Sequence, residues 1–315
     1  MSLQNRVRSM LEGALLSGVF LILLFVTLYT PLGIMTAMAL PVPFTIYAAR
    51  HDVKKSLLMI LASSLLTLFI GALPSVFSAV FAGVLGIVMG TLYRRQRKAT
   101  AVFLGGTVAG LIFFLLSILA SFLFFKINPI ASIQTLLQES LEMSQSMLDQ
   151  LGATDPKQME MMKGLVKQIT QLVPMLLIVG SAQFALINHW LSRKILNRLG
   201  TPAASFPPFR DWKWPKSVMY YYFIVLILSV FLSGSNPPEW VELVLVNLKP
   251  ILDIMLIIQG LSLVFFICYH KGWGKGLPIF AVVLVFIFPP FPFILSLIAI
   301  LDLGMDLRSR FISTK

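Results

Sequence analysis

Acidic residues are scarce in this chain. Asp and Glu number 13 among 315 residues against 25 Lys and Arg, and charged residues together make up only 12%. A soluble domain carries about 25%. Hydrophobic residues reach 57% and the mean hydropathy is +0.88. That excludes a soluble globular fold, because the surplus apolar surface needs lipid as its solvent. Cysteine is nearly absent: Cys268 alone excludes an internal disulfide, and its apolar setting reads as packing. His51, His189 and His270 are the only histidines, and they show no ligand spacing for a metal. No Walker-type phosphate loop is present, so the chain does not hydrolyse ATP itself. No serine sits in a GxSxG turn, and no catalytic pair stands at membrane depth. The expectation is a protein that is not an enzyme and carries no cofactor.

What is present is one repeated design: an apolar run, a basic knot, another apolar run. Arg94-Arg95-Gln96-Arg97-Lys98 is its sharpest instance. Measured against the ~20 residues that cross a bilayer, candidate spans cover 11–29, 32–49, 56–72, 75–93, 100–125, 169–191, 217–233, 248–269 and 277–303. The fold class is therefore an all-α polytopic membrane protein of nine or ten spans. The first span ends in Tyr29-Thr30-Pro31-Leu32-Gly33 without a small-residue cleavage site and reads as retained.

With the N-terminus in the cytoplasm, the inner segments collect Arg6, Arg8, Arg50, Lys54, Lys55, the 94–98 cluster, Arg193, Lys194, Arg198, Arg210, Lys213, Lys216, Lys271 and Lys275. Lys126, Lys157, Lys163, Lys167 and Lys249 fall outside. This bias predicts a multi-pass protein of a cytoplasmic membrane, with its N-terminus inside. It also explains the net charge of +12 without nucleic acid: the cations sit at span ends, where they meet anionic headgroups. A single last span would leave Arg308, Arg310 and Lys315 outside. Phe288-Pro289-Pro290-Phe291-Pro292 favours instead two short helices that return the C-terminus to the cytoplasm.

Three parts follow: a bundle of five spans over 1–126, an extracytoplasmic cap over 127–168, and a second bundle over 169–315 with a basic cytoplasmic loop, 192–216. In the cap, Ile133, Leu136, Leu137, Leu141, Met147 and Leu148 recur at helical spacing. Thr154-Asp155-Pro156 reads as the start of a second amphipathic helix carrying Met159 and Met162. The cap reads either as a surface hairpin or as a lid. In the loop, prolines alternate with Phe206, Phe209, Trp212 and Trp214. It reads as an interfacial strap on anionic lipid or as a docking surface for a cytoplasmic partner.

Gly83, Gly86 and Gly90 form a small-residue stripe on the fourth span, and Gly106 and Gly110 another on the fifth. A tight hairpin of these two helices is expected. Pro41-Val42-Pro43-Phe44 and Pro290-Phe291-Pro292-Phe293 interrupt two spans in the same way. Broken helices free carbonyls that either kink a helix or line a site. Asp253, one turn from Lys249, is expected to form an (i, i+4) ion pair, with Gln259 further along and Gln183, Asn188 and His189 on the sixth span.

The Glu12-Gly13-Ala14-Leu15 opening, the Leu40–Phe44 break ahead of Arg50, the glycine-rich fourth span and the Asp302-Leu303-Gly304-Met305-Asp306-Leu307-Arg308 ending resemble the YybS-type family of bacterial membrane proteins. The first half also resembles, more distantly, the substrate-capture (S) subunits of energy-coupling-factor transporters. That resemblance implies an S-subunit-like core that docks a membrane coupling protein or ATPase module through small residues of its first helix. Ala14, Ser17 and Gly18 are the matching positions. The chain departs from the resemblance in having more than the usual six spans and a long outer insertion.

The expected function is binding or transport of a small molecule at a site near Pro41, Pro43, Gln183, Asp253 and Gln259, in the outer half of the bundle under the 127–168 cap. The alternative is a non-transporting scaffold or regulator whose Arg94, Arg95, Arg97 and Lys98 recruit partners.

Overall fold

The structure, a computed structural model, describes residues 3–150, 164–166, 168–232, 235, 237–274 and 276–313. Among these residues every regular element is helical. Six stretches are long and apolar enough to cross a membrane: Val7–Tyr29, Val53–Gly71, Ser75–Arg94, Ala99–Leu123, Val173–Arg198 and Glu239–His270. The chain forms two compact units, Met1–Ile133 with Leu176–Ser205, and Gln134–Met175 with Phe206–Lys315. The sixth apolar run therefore packs largely with the first five rather than opening a C-terminal bundle. The expected second cap helix around Thr154–Met162 lies outside the described residues.

In the first unit, α1 (Leu3–Tyr29) is followed by two short helices, α2 (Gly33–Ala37) and α3 (Val42–Arg50), in place of the single span expected over 32–49. The prolines explain the division. Pro41 is the N-cap of α3 and Pro43 falls in its first turn, where a missing N–H costs no hydrogen bond. α3 is a buried wedge: every residue from Val42 to Ala49 is buried, and Phe44 packs edge-on against Phe20 at 4.9 Å.

The 42-residue helix α4 (Val53–Arg94) is twice the length a bilayer needs. It folds back on itself near Gly71. The Ser75 hydroxyl donates to the Thr67 carbonyl at 3.0 Å, although eight residues of straight helix would separate them by ~12 Å. Its two halves are the third and fourth expected spans. α5 (Ala99–Phe125) and most of α7 (Val173–Arg198) complete the unit, while the amphipathic α6 (Pro129–Gln150) begins in it and passes into the second.

The glycine stripe works, but against a different neighbour. A Cβ on Gly86 would lie 2.5 Å from the Phe44 Cβ, and one on Gly90 would lie 2.5 Å from the Thr45 carbonyl oxygen. These glycines seat the α3 backbone, not α5. Gly83 backs onto Ile60 across the reversal of α4. Gly106 faces Met89 and Ala185, and Gly110 faces Ser181 and Leu85, so α5 does lie against the second half of α4, with α7 beside it.

In the second unit, α8 (Ser217–Leu232) and α9 (Glu239–His270) run antiparallel over a core of Val218, Tyr222, Val225, Leu252, Leu256, Ala299 and Leu303. The last apolar run is two helices, α10 (Gly276–Ile287) and α11 (Phe291–Met305), with Pro290 as N-cap and Pro292 in the first turn. Both Pro-x-Pro-Phe sequences thus start a helix. The Lys213 ammonium donates to Asp306 at 2.6 Å and Arg308 donates to the Arg210 carbonyl at 2.8 Å. The chain after α11 therefore returns to the end of the unit where α8 begins, as the two-helix reading requires. A terminal turn, α12 (Leu307–Ser313), follows.

Candidate functional site

Three polar constellations and one groove stand out, each within a single unit. At one end of the first unit the Glu12 carboxylate pairs with Arg50 and, at 2.9 Å, with His51. Around them Tyr47 donates to the Ser9 carbonyl at 3.1 Å and Lys55 to the Ser9 hydroxyl at 3.0 Å. Arg94 donates to the His51 carbonyl at 2.5 Å and to Asp52 at 3.1 Å. This network ties the ends of α1, α3 and both halves of α4. Arg95, Arg97 and Lys98 beside it are exposed, and they form no ion pair among the described residues. Of the four cations expected to recruit a partner, Arg94 is thus committed to the fold.

Deeper in the same unit lies a fully buried ladder. Asn188 donates to the Thr45 hydroxyl at 2.9 Å and Ser192 donates to the Asn188 side-chain Oδ1 at 2.9 Å. The Tyr93 hydroxyl meets His189 Nδ1 at 2.6 Å. The ladder joins α3, α4 and α7 in lipid, where each polar group needs an internal partner.

In the second unit the carboxylate of Asp302 is 0% exposed. Its Oδ2 accepts from the Gln259 amide and, at 3.1 Å, from Arg308, while Oδ1 is buried without a partner. Around this pair a strap of chain, residues 206–216, is held by its backbone. The Ser262 hydroxyl sits 2.8 and 2.7 Å from the Phe209 and Trp212 carbonyls, donating to one at a time. Gln259 accepts from the Trp214 N–H at 2.9 Å, and Arg308 holds the Arg210 carbonyl. The Lys213 hydrogen bond holds the solvent-facing Asp306 carboxyl below its ordinary value, and Lys216 and Arg308 act in the same direction.

A groove of about 480 Å³ lies at the end of the first unit away from Glu12, lined by Leu28, Tyr29, Leu68, Phe69, Ile70 and Gly71. The Tyr29 hydroxyl donates to the Ile70 carbonyl at its edge, 2.6 Å away. The lining carries no charged side chain.

The residues expected at a single site are distributed over both units. Pro41 and Pro43 are buried in the first, and the carbonyls that lack their N–H, on Ala37 and Ala39, accept instead from the Leu40 and Val42 N–H groups at 3.3 and 3.0 Å. Gln183 is exposed on α7. In the second unit Asp253 forms the expected (i, i+4) pair with Lys249, at 2.9 Å. The described partners of Gln259 lie in the strap and α11, not in the 127–168 segment. Of the small residues on α1, Ser17 faces inward and bonds Ser63 at 3.0 Å, whereas Ala14 faces outward and nothing lies within 4 Å of a Cβ on Gly18. Among the described residues, no group of His, Cys, Asp and Glu is arranged to hold a metal ion. The Asp302–Arg308 pairing follows no helical spacing; it forms because Asp306, left-handed at φ 48, ends α11 and turns the chain between the two residues. The groove had no sequence signal, because it forms where α4 reverses.

Comparison with known proteins gives the family. Residues 18–303 match the pattern described as "Predicted membrane protein (DUF2232)". The chain belongs to this family. A relative in Bacillus subtilis (strain 168), described as "Uncharacterized protein YybS", is 28% identical across 97% of this chain and 99% of its own length. No solved structure matches. The DUF2232 match runs from the middle of α1 through most of α11, so both units are part of what the family shares.

Proposed function

We propose that this DUF2232 protein captures a small molecule and passes it to a membrane coupling protein, in the manner of a transporter substrate-capture subunit. The groove at Leu28–Gly71 carries this reading. Its volume, about 480 Å³, is that of a small molecule, its walls at Leu28, Tyr29, Leu68 and Phe69 are largely exposed so that a ligand there keeps one face open, and its uncharged lining suits an apolar or aromatic ligand. Two further features support it. The first unit supplies six apolar segments: α1, the broken α2–α3 crossing, the two halves of α4, α5 and α7. That is the number usual in the S subunits the chain resembles. Ala14 and Gly18 leave an open small-residue step on the outside of α1 that admits a close-packed partner helix. With the N-terminus in the cytoplasm of a bacterial cell, as the charge bias predicts, the groove opens outward and the step lies toward the cytoplasm.

The test is native mass spectrometry of the protein released gently from its host membrane. A stoichiometric small molecule is expected on the wild type and not on Leu28→Trp, which fills the groove. A coupling partner is expected on the wild type and not on Gly18→Leu. A wild-type protein that carries lipid alone overturns the reading.

A second reading rests on Arg95, Arg97 and Lys98, which are exposed while Arg94 is bound. A scaffold or regulator that recruits partners through them loses a bound protein when the three are changed to Gln, while any groove ligand is retained.

A further inference from the structure

We propose that the second unit carries a binding surface for anionic phospholipid headgroups, built by holding the 206–216 strap through its backbone so that its cations face outward. This surface is independent of the groove in the first unit. Ser262, Gln259 and Arg308 take the carbonyls of Phe209, Arg210 and Trp212 and the N–H of Trp214. Phe209 also packs edge-on against Phe265, with ring centroids 5.1 Å apart. The strap is therefore fixed mainly through its backbone, with Lys213 to Asp306 as a side-chain tie at its surface, and Arg308, a buried cation beside it, is neutralised by Asp302.

The side chains left outward are basic and aromatic. Lys213, Lys216 and Lys271 are exposed, and the Arg210 guanidinium lies 3.7 Å over the Tyr269 ring. Tyr269 and Trp273 are 59% and 50% exposed, with the Lys271 ammonium 5.0 Å above the Trp273 ring. Asp211 and Asp306 answer Arg210 and Lys213 only in part, leaving Lys216 and Lys271 in excess.

The place of this patch names the occupant. It lies where α8 begins and α9 ends, at the border of the hydrocarbon layer, where headgroups and not free solute are the nearest charged matter. Half-exposed Tyr and Trp rings beside Lys and Arg are the composition that settles at headgroup level, and phosphate is the group that excess cation attracts there.

The experiment uses the full chain, exchanged into an equimolar mixture of phosphatidylglycerol and phosphatidylcholine, with retained lipids counted by native mass spectrometry. The wild type is expected to keep phosphatidylglycerol selectively. Each surface cation contributes about fivefold, so Lys216→Gln with Lys271→Gln should lower the preference by up to about twenty-five-fold. Ser262→Ala removes no cation but loosens the strap, and should lower it as well. Lys126→Gln, on the first unit, should leave it unchanged. Equal retention of both lipids by the wild type, an unchanged preference in the double lysine variant or in Ser262→Ala, or an equal loss in Lys126→Gln overturns the proposal. So does a bound protein that the lysine variants displace while lipid retention stays the same.

Discussion

Asp302 and Arg308 illustrate what a buried ion pair does at the scale of a residue. The carboxylate is wholly out of solvent, and Arg308 bridges it to Ser262 and to the strap. Removing one member leaves the other as an unpaired buried charge, at a cost of about 3–5 kcal/mol, whereas replacing both with apolar groups can be nearly neutral. Asp302→Ala and Arg308→Ala should therefore each lower the thermal midpoint in detergent strongly. Asp302→Leu with Arg308→Met should recover most of the loss, and simple additivity of the two changes would contradict this account. Asp306 behaves differently because it is exposed. Lys213 lowers its pKa, so the carboxylate holds the strap at every pH above its ordinary value of 3.8 and lets go only as pH falls through the lower, folded value. The fluorescence of Trp212 and Trp214 should stay flat through neutral and mildly acidic pH and change only below that value. A transition near neutrality would mean that another group controls the strap.

Elements meet here through glycines that only the fold can interpret. Gly86 and Gly90 lie against the α3 backbone, and a Cβ on Gly260 would run into the Leu295 carbonyl. Backbone cannot rotate away, so Gly90→Ala and Gly260→Ala should each cost about 1–3 kcal/mol as overpacking. Gly18→Ala and Gly180→Ala, with nothing within 4 Å, should be silent in the same melting experiment. Equal effects at all four positions would show that helix propensity, not close approach, sets the cost. The same glycines mark the limit of what the sequence discloses. Apolar runs and basic knots were legible, because burial in lipid needs length and composition alone. The Pro-x-Pro-Phe breaks were legible too, and so was the Lys249–Asp253 pair, which is one helical turn apart. The partner of a glycine stripe was not: α3 and α5 are both adjacent in sequence to α4, and the choice depends on α3 being short enough to seat as a wedge. The expected binding residues fall in both units, and their partners were hidden for a related reason. A polar side chain in an apolar span signals that it needs a partner, but the partner of Gln259 is 43 residues away at Asp302.

For the whole molecule the decisive quantity is the side of the membrane on which each basic segment lies. The bias of cations predicts Arg97 and the C-terminus on the cytoplasmic side, with Asn128 and Trp240 outside. Within the second unit the structure adds an independent constraint: Arg308 and Asp306 bond the strap, so the C-terminal turn and Lys213 share a side whatever the orientation of the protein. Single cysteines at Arg97, Lys213, Arg310, Asn128 and Trp240, placed in a Cys268→Ala background, can be tested with a thiol reagent that does not cross the membrane. In intact cells the first three should be protected and the last two labelled. Reversed labelling of all five would invert the orientation, move the groove to the cytoplasmic side and remove the capture reading, while leaving the fold intact. Labelling of Arg310 without Lys213 would break the structure itself. The turn at Phe288–Pro290 would then not return the chain, and α10 with α11 would have to cross as one span. The two-helix arrangement rests on the bonds of Asp306 and Arg308 to the strap; at 12 and 15 residues the helices reach only ~18 and ~22 Å, so each enters a ~30 Å layer without crossing it alone. The short pair is tolerated because α11 leans on the small face of α9 at Gly260, so a bulky residue at that position should both unseat α11 and expose Arg310 to the reagent.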